Sequence, residues 1–338
     1  MPARIVDREV GGNTTYSRHL ERGLQSRGIS VGRIPASSRP QITALQETFA
    51  ALQRGRKGDI LHYVADTGPL VRTRRSSVVT VHGVASRWIS TARTSSQEAT
   101  WRARVRRAIS STDRVITVSK SSAEDIQDVF GLDADRITTI HHGIDVPLFS
   151  KRHTISADLS ARLPQDFALY VGNIEPRKNL VELVNAFDSP ELASLDVPLV
   201  IAGKPAWNSD ESMRAITESR NVQYLGYVSD ADRIALMQTC AVFVFPSLYE
   251  GFGFPVLEAL AAGAVVTSSR AGSLAEVAGP TLEMHDLTAA GIAHDIAFAL
   301  TDTQARSACL LDGAEWASRF NWNESVEQHI EVYESLNA

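Results

Sequence analysis

The chain has 338 residues, of which 43% are hydrophobic and 22% charged, which predicts a soluble globular protein of about two domains. No apolar run approaches the roughly 20 residues of a membrane span, and we expect no secretory signal because the N-terminus lacks an h-region. The two cysteines, Cys240 and Cys309, exclude a disulfide framework or a zinc site and indicate a reducing compartment, so we expect a cytoplasmic protein.

The formal net charge of −5 conceals an asymmetry between the two halves of the chain. Residues 1–155 contain 24 Lys and Arg against 14 Asp and Glu, whereas residues 156–338 contain 10 against 25. This asymmetry predicts a domain boundary near residue 150 and a basic first domain that faces an anionic partner or surface.

The first domain is predicted to alternate strands with helices. Ala3–Asp7 is a short strand candidate, and Gly11-Gly12-Asn13 forms a turn before an amphipathic helix over residues 14–27. Such a turn can direct backbone N–H groups towards an anion, although paired glycines are at least as typical of an ordinary turn. Further strands are predicted over residues 59–64, 78–82, 114–119 and 137–141, and helices over residues 42–54, 101–110 and from about residue 123, the last capped by Ser119, Ser121 or Ser122.

Residues 151–165 are polar and irregular, and we interpret them as the linker between the domains. The pattern then restarts and ends with a helix over residues 323–336. Strands that alternate with helices at this spacing predict a doubly wound parallel sheet in each domain. The strands of the second domain are predicted over residues 168–171, 199–202, 222–225, 241–245 and 265–268, and its helices over residues 180–187 and 230–240.

The segment from Pro246 to Gly263 is the most informative part of the chain. It follows an apolar strand candidate, Tyr249–Gly253 forms a glycine-containing turn, and Pro255 suits the first turn of a helix. Glu250 lies in the turn and Glu258 within the helix. Because ligands of α/β proteins bind beyond the carboxyl ends of the strands, we expect a ligand to reach Glu250.

Other residues could bind an anion. Arg177 and Lys178 follow a predicted strand and together suit a diphosphate, although in isolation a solvated charge pair is the more common explanation. Gly272-Ser273-Leu274 precedes another helix and is a second candidate phosphate cradle. His82 either points into a cleft between the domains or is a buried, hydrogen-bonded histidine. The sequence contains no Asp-x-Asp element, metal-binding cluster of acids, nucleophile elbow or Walker loop.

These motifs together resemble one enzyme family. Glu250 and Glu258 lie within Pro-Ser-x-x-Glu-Gly-Phe-Gly-Phe-Pro-x-x-Glu-Ala, which is similar to the Glu-x7-Glu signature of the retaining GT-B glycosyltransferases of the group 1, or GT4-type, family. Residues 172–180 look like the diphosphate element of that family, and residues 268–277 resemble its later glycine-rich cradle. The sequence departs from many relatives at His142, where they have Asn.

The resemblance implies a GT-B fold, an α/β architecture in which two Rossmann-like domains with doubly wound parallel sheets face each other across a cleft. The acceptor-binding domain would comprise residues 1–150 together with a C-terminal helix over residues 322–338. The donor-binding domain would comprise residues 151–321, and it would bind a nucleotide sugar.

The resemblance also implies roles for individual residues. Arg177 and Lys178 would bind the diphosphate, Glu258 the ribose and Glu250 the donor sugar. His82 would lie near the transferred sugar and would act in catalysis with Glu250, Arg177 and Lys178. The other donor-binding residues would be Gly11, Gly12, Asn173, Gly251, Phe252, Gly253, Phe254, Ser273 and Leu274.

The implied function is retaining transfer of a sugar from a nucleotide-diphosphate sugar, with neither metal nor cofactor, to a hydroxyl acceptor in polysaccharide, glycolipid or glycoside biosynthesis. The form of residues 172–180 favours GDP-mannose as the donor. The alternative is a scaffold that binds a nucleotide sugar without turnover. A GT-B phosphorylase or epimerase is a weaker alternative, and a phosphorylase would need a pyridoxal-binding Lys, for which the sequence shows no compelling context. A glycosidase pair is disfavoured, since mainly helical chain separates the α-carbons of Glu250 and Glu258 by roughly 10–12 Å, whereas a retaining pair needs carboxyls about 5–5.5 Å apart.

The acceptor, lipid-linked or oligosaccharide, is not readable from the sequence. A basic, partly apolar helix in the first domain could lie against anionic lipids at the inner face of the cell membrane, or it could simply be solvated. No DNA- or RNA-reading motif accompanies the charge, so we expect no nucleic-acid partner. The basic residues concerned are Arg102, Arg104, Arg106 and Arg107 on this helix, and Arg72, Arg74 and Arg75 in a second run.

Overall fold

The structure, a computed structural model, describes residues 1–7, 11–89 and 95–337, and it divides into two compact units. Unit 1 consists of Met1–Gly143 together with the segment that starts at Phe320, and unit 2 consists of Ile144–Arg319. The chain therefore enters unit 2 before residue 150, where the sequence placed the boundary. The physical reason is that the short helix over residues 146–150 buries Phe149 and packs against helices of unit 2.

Unit 1 is built on a parallel sheet, and each of its strands pairs with its neighbour in the chain. In spatial order, the strands within the described residues are β1 (Leu61–Tyr63), β2 (Ser77–Val81), β3 (Arg114–Thr117) and β4 (Ile137–Thr139). The helices are α1 (Ala3–Val6), α2 (Gly12–Ser26), α3 (Pro40–Leu52), α4 (Ser95–Ser111), α5 (Lys120–Phe130) and, at the end of the chain, α16 (Trp322–Ser335).

The predicted strands and caps of unit 1 follow from local chemistry. The side chains of β2 are all buried, as the apolar run indicated, and Val78 lies opposite His62 of β1 and Arg114 of β3. Of the three serines proposed to cap α5, Ser119 does so, because its side chain accepts a hydrogen bond from the backbone N–H of Ser122.

The first predicted strand is wrong, since Ala3–Val6 forms a helical turn instead. Ile5 and Val6 are both buried, and they cluster with Tyr16 and Leu20 of α2. Successive side chains of a strand point to opposite faces, whereas a helical turn can direct both towards the same neighbour. With only two strongly apolar residues in the segment, the helical turn buries both of them against α2.

A hydrogen-bonded chain of buried side chains connects α16 to the rest of unit 1. The chain runs from His329 Nε2 to Tyr16 Oη (2.8 Å), on to Thr80 Oγ1 (2.9 Å), and then to His62 Nε2 (2.7 Å). His62 Nδ1 in turn contacts Tyr333 Oη at 2.6 Å, which closes a loop back onto α16. The C-terminal helix is therefore anchored by polar as well as apolar contacts.

The direction of every proton in this chain can be deduced. His329 Nδ1 lies 2.6 Å from the Ser325 carbonyl, which can only accept, so Nδ1 carries the proton. Burial lowers the pKa of His329 to about 4 and that of His62 well below its usual range, so both rings are neutral near pH 7. Tyr16 consequently donates to His329 and accepts from Thr80. His62 then donates to Thr80 through Nε2 and accepts from the Tyr333 hydroxyl.

Unit 2 contains a doubly wound parallel sheet, in the order β10-β9-β8-β5-β6-β7. The reversal of strand order lies between β5 and β8. The strands are β5 (Ala168–Val171), β6 (Leu199–Ala202), β7 (Val222–Gly226), β8 (Val242–Phe245), β9 (Val266–Ser268) and β10 (Leu282–Glu283). The helices are α6 (Val146–Ser150), α7 (Ala157–Ser160), α8 (Leu180–Phe187), α9 (Pro190–Ala193), α10 (Asp210–Glu218), α11 (Asp230–Thr239), α12 (Phe254–Ala261), α13 (Leu274–Val277), α14 (Ala289–Thr301) and α15 (Thr303–Ser318).

Two parallel-sheet α/β units confirm the predicted fold class, although among the described residues the reversal of strand order that makes a sheet doubly wound occurs in unit 2 and not in unit 1. The interpretation of residues 151–165 as a linker is wrong. This segment belongs to unit 2 and carries α7, in which Leu159 is buried. The backbone N–H of His153 donates to Gln238 Oε1 (2.9 Å), and that of Ser156 donates to Asp232 Oδ1 (2.8 Å). Its polar residues are therefore those of a surface segment fixed to α11. Among the described residues, none of the helices combines the length and the hydropathy of a membrane span.

Candidate functional site

The predicted site residues of unit 2 meet where the strand order of its sheet reverses. Loops 172–179 and 246–253 follow the neighbouring strands β5 and β8, and ligands of doubly wound sheets bind at such a position. The backbone N–H of Leu248 donates to the Arg177 carbonyl (2.8 Å), and Arg177 Nη1 donates to the Tyr249 carbonyl (3.1 Å). The two loops are therefore joined to each other directly.

The conformation of loop 172–179 places two cations side by side. Pro176–Lys178 forms a single 3-10 turn, and Asn179 then takes the left-handed conformation with φ 58°. Its side-chain amide donates to the Leu287 carbonyl at 2.9 Å, which fixes this end of the loop before α8 begins. Asn is among the few residues other than Gly that adopt this backbone region readily.

A buried ion cluster occupies the junction of the two loops. Arg177 Nη1 lies 2.6 Å from Glu250 Oε2, and Lys178 Nζ lies 2.5 Å from Glu250 Oε1. Arg177 also pairs with Glu175 through Nε. The side chains of Glu250 and Lys178 are only 7% and 5% exposed, and the Lys178 ammonium lies 4.5 Å from the centre of the Phe245 ring. A charged group that is withdrawn from water needs an opposite charge or a hydrogen-bond partner, and the four side chains of the cluster supply these to one another.

The cluster determines the protonation of Glu250. Burial alone would raise the pKa of this carboxyl, but the charges and hydrogen bonds of Arg177 and Lys178 together lower it to about 2. Burial, followed by the charge of Arg177, lowers the pKa of Lys178, and Glu250 offsets part of that effect. Glu250 is thus ionised at every physiological pH, so it can accept hydrogen bonds but cannot donate a proton.

The backbone of loop 269–273 supports Glu250 from the side of β9. The N–H of Ser273 donates to the Glu250 carbonyl (3.0 Å), and the Ser273 hydroxyl donates to the Phe252 carbonyl (2.7 Å). Gly272 has φ 62°, and a Cβ there would lie 2.5 Å from the Glu250 carbonyl oxygen. The close approach therefore requires glycine. Residues 272–274, predicted as a phosphate cradle, hold the Glu250 loop in this structure.

The beginning of α12 is equally tightly packed. Gly253 precedes it with φ 103°, and a Cβ at this position would lie 2.6 Å from a methyl carbon of Leu274. Phe252 is buried, and its ring meets that of Phe254 edge-on at 5.1 Å. Gly251 is partly exposed. Of the residues predicted to bind the donor here, Phe252, Gly253 and Leu274 therefore shape the loop from within.

Glu258 has its own cation, which the sequence did not reveal. Arg233 of α11 forms an ion pair with Glu258 of α12 through Nη1, and both side chains are largely buried. Burial lowers the pKa of Arg233, but the charges of Glu258 and Asp230 raise it by more than burial lowers it. The pKa is therefore raised overall, and the guanidinium remains charged. No motif surrounds Arg233, and the only available signal was its position on the helix before β8. The two glutamates thus belong to separate ion pairs.

The remaining predicted residues are Asn173, near the start of the loop that carries Arg177 and Lys178, and two glycines of unit 1. Asn173 is exposed, and its carbonyl accepts a hydrogen bond from the Tyr170 hydroxyl at 3.0 Å. In unit 1, Gly11 caps α2 with φ 122°, and its carbonyl accepts from the N–H groups of Thr14 and Thr15. Gly12 is the first residue of α2. Their contacts with a donor stay predictions.

His82 of unit 1 is held in one orientation. Its backbone N–H donates to Asp66 Oδ1 (2.8 Å), and its ring Nε2 lies 3.1 Å from the Val64 carbonyl and must carry the proton. Burial lowers the pKa of His82, and the Asp66 carboxylate and the Val64 carbonyl offset this only in part. A neutral ring with its proton on Nε2 leaves the lone pair on Nδ1. The predicted position of His82 near a transferred sugar stays a prediction.

The chemistry available to this cluster is binding and charge stabilisation. A retaining glycosidase needs one carboxyl with a raised pKa as its acid, whereas Glu250 has a lowered one. Two adjacent cations on loop 172–179 could instead bind the oxygens of a diphosphate. Within the described residues, no group of three or more His, Cys, Asp or Glu side chains lies close enough together to hold a metal ion.

Two family models match the chain, one in each half. The model described as Glycosyl transferases group 1 matches residues 151–309, and the model described as Glycosyltransferase Family 4 matches residues 14–147. Each match covers most of one structural unit, so together they account for the greater part of the chain.

Individual relatives are similar over about two thirds of the chain. O-antigen chain mannosyltransferase B of Escherichia coli is 32% identical over 250 residues, which are 68% of this chain and 62% of that protein. MMP alpha-(1->4)-mannosyltransferase of Mycolicibacterium hassiacum is 27% identical over 230 residues, which are 66% of this chain and 54% of that protein. The matched part thus spans less than two thirds of the length of these relatives.

Solved structures match nearly the whole chain. Sucrose-phosphate synthase from Thermosynechococcus elongatus has a TM-score of 0.73 at 21% identity, and the match covers 97% of this chain and 94% of that one. Anabaena HepE in complex with UDP and glucose has a TM-score of 0.72 at 18% identity, and the match covers 96% of each chain. At these identities the similarity establishes the fold alone.

Proposed function

We infer that this chain, which belongs to the group 1 (GT4-type) family of glycosyltransferases and has their GT-B fold, transfers a sugar from a nucleotide-diphosphate sugar to a hydroxyl acceptor. The observation that carries the inference is the buried cluster of Arg177, Lys178 and Glu250 at the reversal of strand order in unit 2. Two cations beside an ionised carboxylate suit a ligand that combines a diphosphate with sugar hydroxyls.

Arg177 and Lys178 bind the diphosphate in this proposal. The guanidinium can donate to two oxygens at once, and the ammonium adds a compact charge. Both cations donate to Glu250 in the structure, so an arriving diphosphate competes with that carboxylate for their N–H groups. When its two cations turn to the diphosphate, Glu250 accepts hydrogen bonds from hydroxyls of the donor sugar. Glu258, which Arg233 positions, accepts hydrogen bonds from the hydroxyls of the ribose.

We propose that the transfer retains the anomeric configuration. The bond between the anomeric carbon and the diphosphate oxygen breaks, and the acceptor oxygen bonds to the same face of that carbon. The proton of the acceptor hydroxyl passes to an oxygen of the leaving diphosphate. Charge that develops on the diphosphate is stabilised by Arg177 and Lys178, whose positive charges are fixed before the reaction starts. In this proposal, the reaction needs neither a metal ion nor a cofactor.

GDP-mannose is the proposed donor. Two of the similar proteins are named as mannosyltransferases, and residues 172–180 have the form that favours the same sugar. A thermal-shift screen against GDP-mannose, UDP-glucose and a dTDP-sugar tests the choice, because a ligand stabilises the fold in proportion to the logarithm of its concentration over its dissociation constant. We expect the largest increase in Tm with GDP-mannose, and a larger one with UDP-glucose would replace the proposed donor.

Release of the nucleoside diphosphate separates transfer from mere binding. With an alkyl mannoside as acceptor, we expect the wild-type protein to release GDP from GDP-mannose, and R177A to do so at least about 100-fold more slowly, the usual cost of removing one transition-state donor. R220A, which changes an exposed arginine of the same unit, is the matched control. Undiminished release in R177A would refute the assigned role.

The alternative function is a scaffold that binds a nucleotide sugar without turnover. It predicts a thermal shift with GDP-mannose but no release of GDP with any hydroxyl acceptor. Since the same two measurements are made on the same preparation, a positive shift together with absent release would favour the scaffold over the transferase.

A further inference from the structure

Helix α3 of unit 1 turns small and polar side chains inwards. The residues that face the unit are Thr43, Ala44, Glu47 and Ala51, and each is at most 5% exposed. Three of these positions carry small side chains, and Glu47 is held by an ion pair with Arg4 at 2.6 Å. The hydroxyl of Tyr63 on β1 donates to the Glu47 carbonyl at 3.0 Å, which fixes the helix to the sheet.

The opposite side of α3 carries large apolar side chains in contact with solvent. We call this surface the α3 stripe, and it consists of Ile42, Leu45, Phe49 and Leu52. These residues are 39%, 64%, 64% and 42% exposed. At 100° per residue they fall within an arc of about 80°, opposite the buried side, so they form one continuous line along the helix. Soluble proteins rarely leave a continuous apolar surface in contact with water, and such a surface usually marks a site that binds another molecule or a membrane.

Basic residues flank both ends of the α3 stripe. Arg39 is exposed immediately before the helix, and Arg54, Arg56 and Lys57 are exposed immediately after it. The exposed Arg74 also lies at the C-terminal end, because its backbone N–H donates to the Ala51 carbonyl at 2.9 Å.

The acidic groups near the helix are already neutralised by arginines. The Glu47 carboxylate is buried and paired with Arg4, and Asp59 pairs with Arg75 at 3.5 Å. Asp59 also accepts the backbone N–H of Arg56 at 2.9 Å. The stripe is therefore an apolar line with an excess of positive charge at its ends.

The basic helix that the sequence singled out has different contacts. On α4, Arg102 pairs with Glu98, Arg106 donates to the Val129 carbonyl, and Arg107 donates to the Leu70 carbonyl. In the other basic run, Arg72 pairs with Asp113. These arginines bind groups of their own unit, whereas the apolar side chains of the α3 stripe point away from it.

From this arrangement we propose that the α3 stripe is a docking surface for an anionic lipid bilayer, in which Leu45 and Phe49 enter the boundary between headgroups and acyl chains. An apolar helix face bordered by Lys and Arg is the pattern that binds such interfaces, and each basic residue near an anionic surface adds to the attraction. A second copy of the chain is a poorer occupant. A two-fold contact would bring the same basic ends together and create repulsion.

Flotation with vesicles tests the surface in the full chain. We expect the wild-type protein to float with vesicles of phosphatidylcholine containing a third phosphatidylglycerol, and to bind pure phosphatidylcholine vesicles much more weakly. The variant L45S/F49S should bind the anionic vesicles at least about tenfold more weakly, because burial of two large apolar side chains is lost. Its Tm should stay close to that of the wild type, since both residues are exposed.

The matched control is L310S/L311S, which removes two exposed leucines of unit 2 and should leave vesicle binding unchanged. The variant R54Q/R56Q/K57Q should bind anionic vesicles more weakly and show a smaller dependence on salt. Absence of flotation at low salt would overturn the proposal, and so would equal binding by L45S/F49S. Light scattering gives the oligomeric state of both proteins. A wild type that is a dimer and an L45S/F49S variant that is a monomer would overturn the membrane proposal and assign the stripe to a contact with a second copy of the chain.

A fluorescent reporter at the stripe gives a positive signal that does not depend on loss of binding. The fluorescence of the new tryptophan is obtained by subtracting the wild-type emission spectrum from that of the variant. For F49W this difference spectrum should move to shorter wavelength when anionic vesicles are added, whereas for L311W it should not. An unshifted F49W spectrum on protein that floats would show that another surface makes the contact, which would overturn the assignment to α3. None of these measurements requires that the protein transfer a sugar, so their failure is independent of the proposed function.

Discussion

At the scale of single residues, the candidate site depends on Glu250 and its two cations. A buried carboxylate with two charged donors is stable only as a set, because removal of one member leaves the others buried without compensation. The motif suggested a sugar-binding role for Glu250 and a phosphate-binding role for Arg177 and Lys178. In the structure the three side chains also bind one another, which makes the same residues responsible for the fold of the two loops.

Replacing Glu250 should therefore affect stability as well as activity. E250Q leaves Lys178 without a carboxylate and Arg177 with Glu175 alone, and we expect the free energy of unfolding in urea to fall by about 3–5 kcal/mol, the usual effect of breaking a buried ion pair. The exposed Glu218 offers a control, since E218Q should change it by less than about 0.5 kcal/mol. If the free energy of unfolding fell no more in E250Q than in E218Q, the ion cluster would not stabilise the fold.

The lowered pKa of Glu250 predicts where acid destabilises the protein. A carboxyl with a pKa of about 2 in the folded state and an ordinary value near 4.5 in the unfolded state contributes stability above the higher value. That contribution is lost as the pH falls from 4.5 towards 2. Unfolding free energies measured through this window should fall more steeply for the wild type than for E250Q. Parallel curves would show that Glu250 has no such shift.

The residues of the cluster could be found from sequence, but not all of their partners could. Arg177, Lys178 and Glu250 stand in recognisable motifs after apolar strands. The pairing of Glu258 with Arg233 has no such signature, because it depends on how α11 and α12 pack. Likewise, the sequence could not show that the Ser273 N–H donates to Glu250, since that contact joins two loops.

At the scale of elements, the C-terminal helix α16 is the part whose attachment can be tested most directly. His62, Thr80, Tyr16 and the residues of α16 form one directional chain of buried hydrogen bonds. Such a network is stable when every donor has an acceptor, and it is costly when one member is left unpaired.

Removal of the terminal donor should weaken unit 1. In Y333F, the Nδ1 of His62 loses its only donor in the deduced chain, and we expect a loss of about 1–3 kcal/mol in unfolding free energy. The exposed Tyr227 of unit 2 gives a matched control, Y227F, which should have little effect. Equal stability of Y333F and the wild type would contradict the direction assigned to these hydrogen bonds.

The buried histidines also predict a response to pH. The pKa of His329 is about 4 and that of His62 is lowered well below its usual range, both through burial. Both pKa values lie below that of a histidine in the unfolded chain, which is near 6.5. The two neutral histidines therefore contribute their full share of the free energy of unfolding above pH 6.5. Tm should fall as the pH decreases from 6.5 to 4, and H329Q should flatten the decrease. A Tm constant over this range would contradict neutral burial.

The elements were predictable where hydrophobic pattern alone decides them. Strands β5 and β6 and helix α8 lie at the predicted residues, because continuous apolar runs and a clear apolar face leave one solution. Ala3–Val6 was misassigned because four residues are too few for periodicity to separate a strand from a helical turn. The outward orientation of α3 could not be anticipated either, since its pattern fits a helix whichever face is buried.

At the scale of the whole molecule, both units are built on a parallel α/β sheet, and they differ in charge. The basic first half bears the α3 stripe, and the acidic second half contains the cluster of cations at the reversal of strand order. The division into units depends on which helices pack together, so α6 and residues 151–165 lie with unit 2 although composition suggested otherwise. Because unit 2 is acidic overall, its partly exposed Arg177 and buried Lys178 are specific features rather than part of a basic surface.

Calorimetric binding of nucleotides to the wild type and R177A tests whether the cluster of Arg177, Lys178 and Glu250 binds a diphosphate. This variant keeps the Lys178–Glu250 pair but leaves Glu175 without its cation, so its Tm is measured first to establish that it is folded at the temperature of the titration. We predict that the wild type binds GDP more tightly than GMP, and that R177A loses at least about tenfold in affinity for GDP while its affinity for GMP changes little. Equal affinity of R177A and the wild type for GDP would contradict the assignment of this cluster to a diphosphate.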